Sequence, residues 1–167
     1  YGYRYFVVDK ERDEEGKIIS STYIREMLAD GNIIKANKLL GYYYFVTGTV
    51  QHGNAIGHTK LYPTANLIPP AVKHLPKFGV YVTRVTVDGK TYGGLTNVGA
   101  KPTISGENPV GVETYLYNFE GDLYGKDMKV ELLDFVRPEM KFESIDALKA
   151  QLDHDIKECQ RRYLEFA

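Results

Sequence analysis

The run Pro63-Thr64-Ala65-Asn66 follows a stretch with widely spaced glycines at Gly48, Gly53 and Gly57. Glycine permits positive φ and lets successive N–H groups approach phosphate oxygens closely. A Thr hydroxyl and an Asn carbonyl are hard oxygen ligands of the kind that Mg²⁺ accepts. This pattern indicates the handling of a metal-bound polyphosphate. From the residues alone, Thr64 and Asn66 are equally well explained as a turn and strand-start pair bonded to local backbone.

The run matches neither of the common phosphate-binding fingerprints. It is not a Walker P-loop, because no Gly-Lys-Ser/Thr sequence ends it. It is not a Rossmann fingerprint, because a proline and an apolar strand follow where a helix should begin.

The elements that must position these residues are mostly β-strands. Asp88-Gly89 predicts a hairpin turn, and no β-α-β spacing occurs, so antiparallel strands closing into a small barrel are expected. Within 110–118, Glu113 shares a strand face with Tyr115 and Tyr117, opposite the aliphatic residues. Segments rich in Val, Thr and Tyr predict strands over 44–51, 79–87, 91–98, 110–119 and 129–136.

Helices are predicted at both ends of the chain. Ser21 or Thr22 is expected to cap a helix through Ala29, and a shorter helix follows through Leu40. A short strand is predicted over residues 5–8. Ser144 is expected to cap the last helix, and an apolar stripe on it should pack on the barrel. The stripe consists of Ile145, Leu148, Leu152, Ile156, Cys159 and Tyr163.

Composition predicts one main compact domain in a reducing cytoplasm. The 167 residues are 43% hydrophobic and carry a net charge of −1, with no basic footprint for duplex nucleic acid or an anionic membrane. The single cysteine excludes an internal disulfide and a multi-cysteine zinc site. No apolar run reaches the length of a membrane span or a signal peptide.

The stretch from Gly48 to about Asp155 resembles the riboflavin kinase family in the order of its motifs. The motifs are Pro63-Thr64-Ala65-Asn66-Leu67, Gly79-Val80-Tyr81, Thr96-Asn97-Val98-Gly99-Ala100-Lys101-Pro102-Thr103, Val112-Glu113-Thr114, Asp122-Leu123-Tyr124-Gly125 and Phe135-Val136-Arg137-Pro138-Glu139-Met140-Lys141-Phe142. The resemblance implies a mainly β fold, a six-stranded antiparallel Greek-key barrel with a C-terminal helix. It also implies ATP- and Mg²⁺-dependent phosphorylation of the terminal ribityl hydroxyl of riboflavin, giving FMN and ADP.

The resemblance also implies roles for particular residues. Glu113 matches the catalytic base, although its pattern alone suggests a solvated strand glutamate. Thr64 and Asn66 match the ligands of Mg²⁺. Arg137 matches a flavin-contacting arginine, and alone it would be a surface ion-pair partner. The remaining matched positions are Gly53 and Gly57 in a loop over the phosphates, and Asn97, Gly99, Lys101, Pro102 and Thr103 in a flap over flavin and nucleotide.

Residues 1–41 resemble the end of the adenylyltransferase domain of bacterial bifunctional FAD synthetases. The resemblance is carried by Ile19-Ser20-Ser21-Thr22-Tyr23-Ile24-Arg25-Glu26 and by Leu39-Leu40-Gly41. We therefore expect a remnant over 1–41 and a kinase domain over 42–167, in a fragment that is monomeric. None of the four histidines lies in a His-x-Gly-His type motif, so no adenylyl transfer is expected.

Several positions depart from the family pattern and keep other functions open. Ile56 and His58 stand near positions that are usually basic, Leu61 stands where a glycine is usual, and Lys101 replaces an arginine. Lysine keeps the charge but loses the planar two-pronged donor. A flavin- or nucleotide-binding module with low or no kinase activity is the alternative. A tyrosine-rich barrel that binds single-stranded nucleic acid is a third hypothesis, and the balanced charge argues against it.

Overall fold

The computed structural model describes residues 2–51, 62–100 and 110–166. Two short helices precede a sheet, and a long helix follows it. The elements are α1 (Ser21–Asp30), α2 (Ile33–Leu40), β1 (Phe45–Thr49), β2 (Ala65–Leu67), β3 (Gly79–Val87), β4 (Lys90–Ala100), β5 (Val110–Leu116), β6 (Asp127–Pro138) and α3 (Ile145–Tyr163). No helix within these ranges is long and apolar enough to cross a bilayer.

The six strands form one antiparallel sheet that nearly closes on itself. Their order is β1-β6-β3-β4-β5-β2. The two edges meet where the Gln51 N–H donates to the Asn66 carbonyl at 2.9 Å. Asp88 and Gly89 join β3 to β4 with φ of 50° and 73°, as the predicted hairpin requires. The predicted six-stranded barrel with a C-terminal helix is therefore confirmed.

The barrel interior combines an aliphatic core with a short polar chain. Valines and leucines from all six strands fill it, including Val46, Leu67 and Leu132. Thr83, Thr96 and Thr114 lie on three adjacent strands and are fully buried. Their hydroxyls are linked in sequence by hydrogen bonds of 2.9 Å each. These contacts satisfy the hydroxyls, which would otherwise be costly to bury.

Helix α3 packs on the outer face of the sheet, but only part of the predicted stripe takes part in this contact. Ile156, Cys159 and Tyr163 join a cluster with Val80, Val82, Leu95, Tyr117 and Leu133. Ile145, in contrast, is 59% exposed. The prediction for the first turn was wrong because the buried positions of α3, Asp155 and Cys159, both lie in its second half.

The N-terminal segment differs from prediction in two details. Ser20, not Ser21 or Thr22, caps α1, and its hydroxyl accepts from the Tyr23 N–H at 3.2 Å. Residues 5–8, which the structure describes, are not in a strand, and Phe6, Val7 and Val8 are exposed. The β-forming residue types there were misleading because a strand also needs a paired neighbour.

Helix α2 is attached directly to the barrel. The Asn37 amide donates to the Leu132 carbonyl at 2.8 Å and accepts from the Tyr44 N–H at 2.7 Å. Asn37 thus connects the segment that resembles an adenylyltransferase remnant to β6. The division at residue 41 remains a prediction.

Candidate functional site

One row of residues runs across five neighbouring strands of the sheet. In register from β2 to β6 the row is Asn66, Glu113, Asn97, Val80 and Arg137. Strand neighbours of these residues, such as Ala65 and Val112, point into the barrel core. Because successive side chains alternate between faces, the row lies on the outer face, where Val80 meets the α3 cluster.

Glu113 lies between two amide side chains in this row. Adjacent strands are about 4.8 Å apart, so Asn66 and Asn97 are its immediate neighbours on either side. The Thr64 hydroxyl, two residues before Asn66, donates to Glu113 Oε1 at 2.5 Å. The structure therefore brings Thr64, Asn66, Asn97 and Glu113 together, although they come from three separate stretches of the chain.

Arg137 lies at the far end of the row and is held by a buried carboxylate. Its Nε and Nη2 atoms both donate to Asp155 Oδ2, at 2.9 and 2.6 Å. Its Nη1 donates to the Pro138 carbonyl at 3.0 Å. Asp155 is 1% exposed, and its other oxygen accepts from Gln151 at 2.8 Å. Arg137 therefore anchors α3 to β6, and a contact with flavin remains a prediction.

Gly99 lies two pairs beyond Asn97, near the end of β4 where the predicted flap begins. A Cβ at this position would lie 1.8 Å from Glu139 Oε1. Glu139 is exposed and its carboxylate ends a flexible side chain, so this approach alone does not require glycine here. The other predicted loop residues lie outside the described residues, as do the departures at Ile56, His58, Leu61 and Lys101. The predicted loop residues outside the described ranges are Gly53, Gly57, Lys101, Pro102 and Thr103.

Three further residues border the site and were missed by the sequence analysis. The Tyr62 hydroxyl donates to Asp153 Oδ1 on α3, and its ring centroid lies 5.5 Å from that of Tyr115. The hydrogen bond to Asp153 raises the pKa of Tyr62. Asp155 could have been found from the sequence, because a carboxylate next to the apolar stripe of a helix needs a charged or hydrogen-bonding partner when it is buried. Tyr62 and Asp153 offered no such signal, since their contact joins residues 91 positions apart.

The single cysteine lies on the buried face of α3, away from solvent. Burial raises the pKa of the Cys159 thiol to about 12, so it stays protonated and unreactive at neutral pH. Burial also raises the pKa of the adjacent Tyr117. The Tyr117 hydroxyl meets no nitrogen or oxygen partner in the described ranges and lies beside the weakly bonding thiol. Both side chains serve packing.

The donor atoms near Glu113 suit a hard cation. Within residues 2–51, 62–100 and 110–166 no three His, Cys, Asp or Glu side chains cluster as a transition-metal site would require. The oxygens of Thr64 and Asn66 beside one carboxylate are instead the ligand type that Mg²⁺ takes when substrate phosphates complete its shell. These residues fit the metal that the resemblance implies.

Comparisons with known proteins identify relatives of this chain. The chain is 38% identical over 149 residues to a bifunctional riboflavin kinase/FMN adenylyltransferase from Listeria monocytogenes, covering 89% of the chain and 47% of that protein. The corresponding Escherichia coli K12 protein is 40% identical over 143 residues, covering 85% and 45%. The chain thus spans about half the length of the curated relatives it matches.

Solved structures and a family model also match the chain. A crystal structure described as a macrolide-efflux protein from Streptococcus pneumoniae matches with a TM-score of 0.81 and 40% identity, over 92% of the chain and 50% of its own length. Riboflavin kinase from Trypanosoma brucei shares the fold, with a TM-score of 0.52 at 22% identity over 71% of the chain and 75% of its own. The Flavokinase (riboflavin kinase) family model matches residues 40–163. Since this match covers well over half of the residues, the chain belongs to the riboflavin kinase family.

Proposed function

We propose that this protein transfers the γ-phosphoryl group of ATP to the terminal ribityl hydroxyl of riboflavin, giving FMN and ADP. The observation that carries the proposal is the position of Glu113. Its carboxylate is held by the Thr64 hydroxyl and flanked by Asn66 and Asn97 in the strand register. Riboflavin and ATP are the proposed partners of a monomeric, cytoplasmic enzyme.

Glu113 is the proposed general base. Its carboxylate accepts the proton of the ribityl hydroxyl as that oxygen bonds to the γ-phosphorus. The bond between the γ-phosphorus and the β,γ-bridging oxygen breaks, and ADP leaves with the electron pair. Phosphoryl transfer needs mainly alignment and charge compensation. The hydrogen bond from Thr64 meets the first need because it fixes the direction of the carboxylate.

Thr64 and Asn66 are the proposed holders of Mg²⁺. When bound, the ion would offset the negative charge of the nucleotide phosphates. A hydroxyl that donates to Glu113 still has lone pairs free on its oxygen. Thr64 can therefore serve the base and the metal together, which explains why the two predicted functions meet at one residue.

The test is to incubate the purified chain with riboflavin, ATP and Mg²⁺, with and without EDTA, and to separate the flavins by chromatography. We expect FMN that requires the metal, and no FAD. Glu113→Gln should lower turnover by roughly 100-fold or more while riboflavin and ADP still bind, because it removes the base and keeps the shape. Glu26→Gln on α1, an equivalent change outside the row, should leave turnover unchanged.

Two results would contradict the proposal. Unchanged turnover in Glu113→Gln would remove Glu113 from its role. Binding of riboflavin or ADP without any FMN from the unmodified chain would favour the alternative of a binding module. That alternative is motivated by the residues at positions 56, 58 and 61.

A further inference from the structure

Tyr62 connects the segment that carries Thr64 to helix α3. Its hydroxyl donates to Asp153 Oδ1, and its ring packs at 60° against the Tyr115 ring. A neutral hydroxyl that donates to a carboxylate makes one of the stronger hydrogen bonds in proteins. Tyr62 is therefore attached to α3 by a hydrogen bond and to β5 by a ring contact.

Thr64 lacks a strand partner of its own. The paired part of β2 begins at Ala65, opposite Thr114, and comprises only three residues. The position of Thr64 thus depends on contacts outside the strand ladder, and Tyr62 lies two residues before it. The segment before β2 makes two side-chain contacts with β5: Tyr62 packs on Tyr115, and Thr64 hydrogen-bonds to Glu113.

We propose that Tyr62 is a positioning residue for the metal-binding segment, acting through Asp153 and Tyr115 to keep Thr64 against Glu113. Helix α3 thereby helps to set the geometry of the site although it supplies no group to it. This inference rests on the proposed function. A purely structural role would change stability alone and would not affect how nucleotide affinity responds to metal.

The test compares Tyr62→Phe, Asp153→Ala and Asp153→Asn with the unmodified chain. Calorimetry measures ADP affinity in Mg²⁺ and in EDTA. Tyr62→Phe and Asp153→Ala should weaken ADP binding in Mg²⁺ by roughly 10-fold or more, from the lower end of the scale of one hydrogen bond to a charged group, with little change in EDTA. Asp153→Asn keeps an acceptor oxygen and should stay within about threefold.

Hydrogen–deuterium exchange provides a readout independent of nucleotide. Amides of residues 62–67 should exchange faster in Tyr62→Phe and Asp153→Ala, while those of β3 and β6 stay unchanged. Tyr42→Phe, at an exposed tyrosine before β1, and Asp146→Ala, in the first turn of α3, are the matched controls. Neither should change exchange at 62–67 or the response to metal.

Two outcomes overturn the proposal. One is unchanged exchange at 62–67 in both variants, which would show that the contact does not hold the segment. The other is faster exchange with the same ADP affinity in Mg²⁺, which would leave Tyr62 a structural role only. If the unmodified chain forms no FMN and its ADP affinity is the same in Mg²⁺ and in EDTA, the proposed function fails. The exchange data would still decide whether Tyr62 fixes the position of residues 62–67.

Discussion

Removing the carboxylate of Asp155 should destabilise the protein more than breaking any of the ion pairs on the protein surface. Asp155 is 1% exposed and accepts two hydrogen bonds from Arg137 and one from Gln151. The Arg137 side chain is itself only 15% exposed. Asp155→Ala would leave this guanidinium without its counter-charge and largely shielded from water.

The magnitude follows from this geometry. Breaking a buried ion pair by removing one partner typically costs about 3 to 5 kcal/mol. Because Arg137 keeps some exposure and its bond to the Pro138 carbonyl, we expect the lower end, about 3 kcal/mol in the free energy of unfolding. Asp155→Asn keeps one acceptor oxygen for Arg137 and turns its NH2 toward Gln151, whose amide can rotate to accept, so it should cost about 1 to 2 kcal/mol.

Urea unfolding followed by circular dichroism measures these changes. Arg137→Met and the double variant complete a cycle, whose coupling energy should reach about 2 kcal/mol. Glu14→Ala is the control, because the pair of Lys38 and Glu14 has side chains 64% and 81% exposed and should contribute less than about 0.5 kcal/mol. A cost below about 1 kcal/mol for Asp155→Ala, or additive effects in the cycle, would refute the reasoning.

The same variants address the predicted flavin contact of Arg137. If Arg137 contacts flavin, Arg137→Met should weaken riboflavin binding in a fluorescence titration under conditions where the variant is folded. If Arg137 only anchors α3, Arg137→Met and Asp155→Ala should change riboflavin affinity to the same small extent.

Two further predictions concern stability. Burial raises the pKa of Cys159 from 9.0 to about 12 and that of Tyr44 from 10.0 to about 12, so these groups stay protonated in the folded chain while the unfolded chain ionises. The stability they contribute is complete below pH 9 and is lost as the pH rises toward 12, by roughly 1 kcal/mol per pH unit for each group. Urea midpoints should fall between pH 9 and 10, less so in Cys159→Ala, and a flat profile would contradict this. Gly79→Ala should cost about 2 to 4 kcal/mol, because a Cβ there would lie 2.2 Å from the Arg137 carbonyl at a φ of 153°. Gly89→Ala, at a φ of 73° with open space around it, should cost only about 1 kcal/mol in the same measurement, and equal costs would exclude packing as the cause.

Local patterns in the sequence predicted most elements but not where they stop. The bounds of β3 were predicted as observed, because a run rich in Val, Thr and Tyr lies between Gly79 and the turn at Asp88-Gly89. β5 was predicted to continue to Phe119 but ends at Leu116, since Asn118 turns the chain with a φ of 55°. β2 was expected only as an apolar strand after Pro63, without bounds, because three residues are too few to show alternation. Its existence depends on pairing with β5.

The sequence by itself determined the fold class, the family and the identity of Thr64, Asn66 and Glu113 as candidates, because each depends on residue types at short spacing. Only the tertiary structure brings these side chains close together, because the strand order and register place β2, β5 and β4 side by side. The same holds for Arg137, whose charge is directed to Asp155 by the packing of α3. Contacts between distant segments depend on the closure of the barrel and the docking of a helix, which no local pattern encodes.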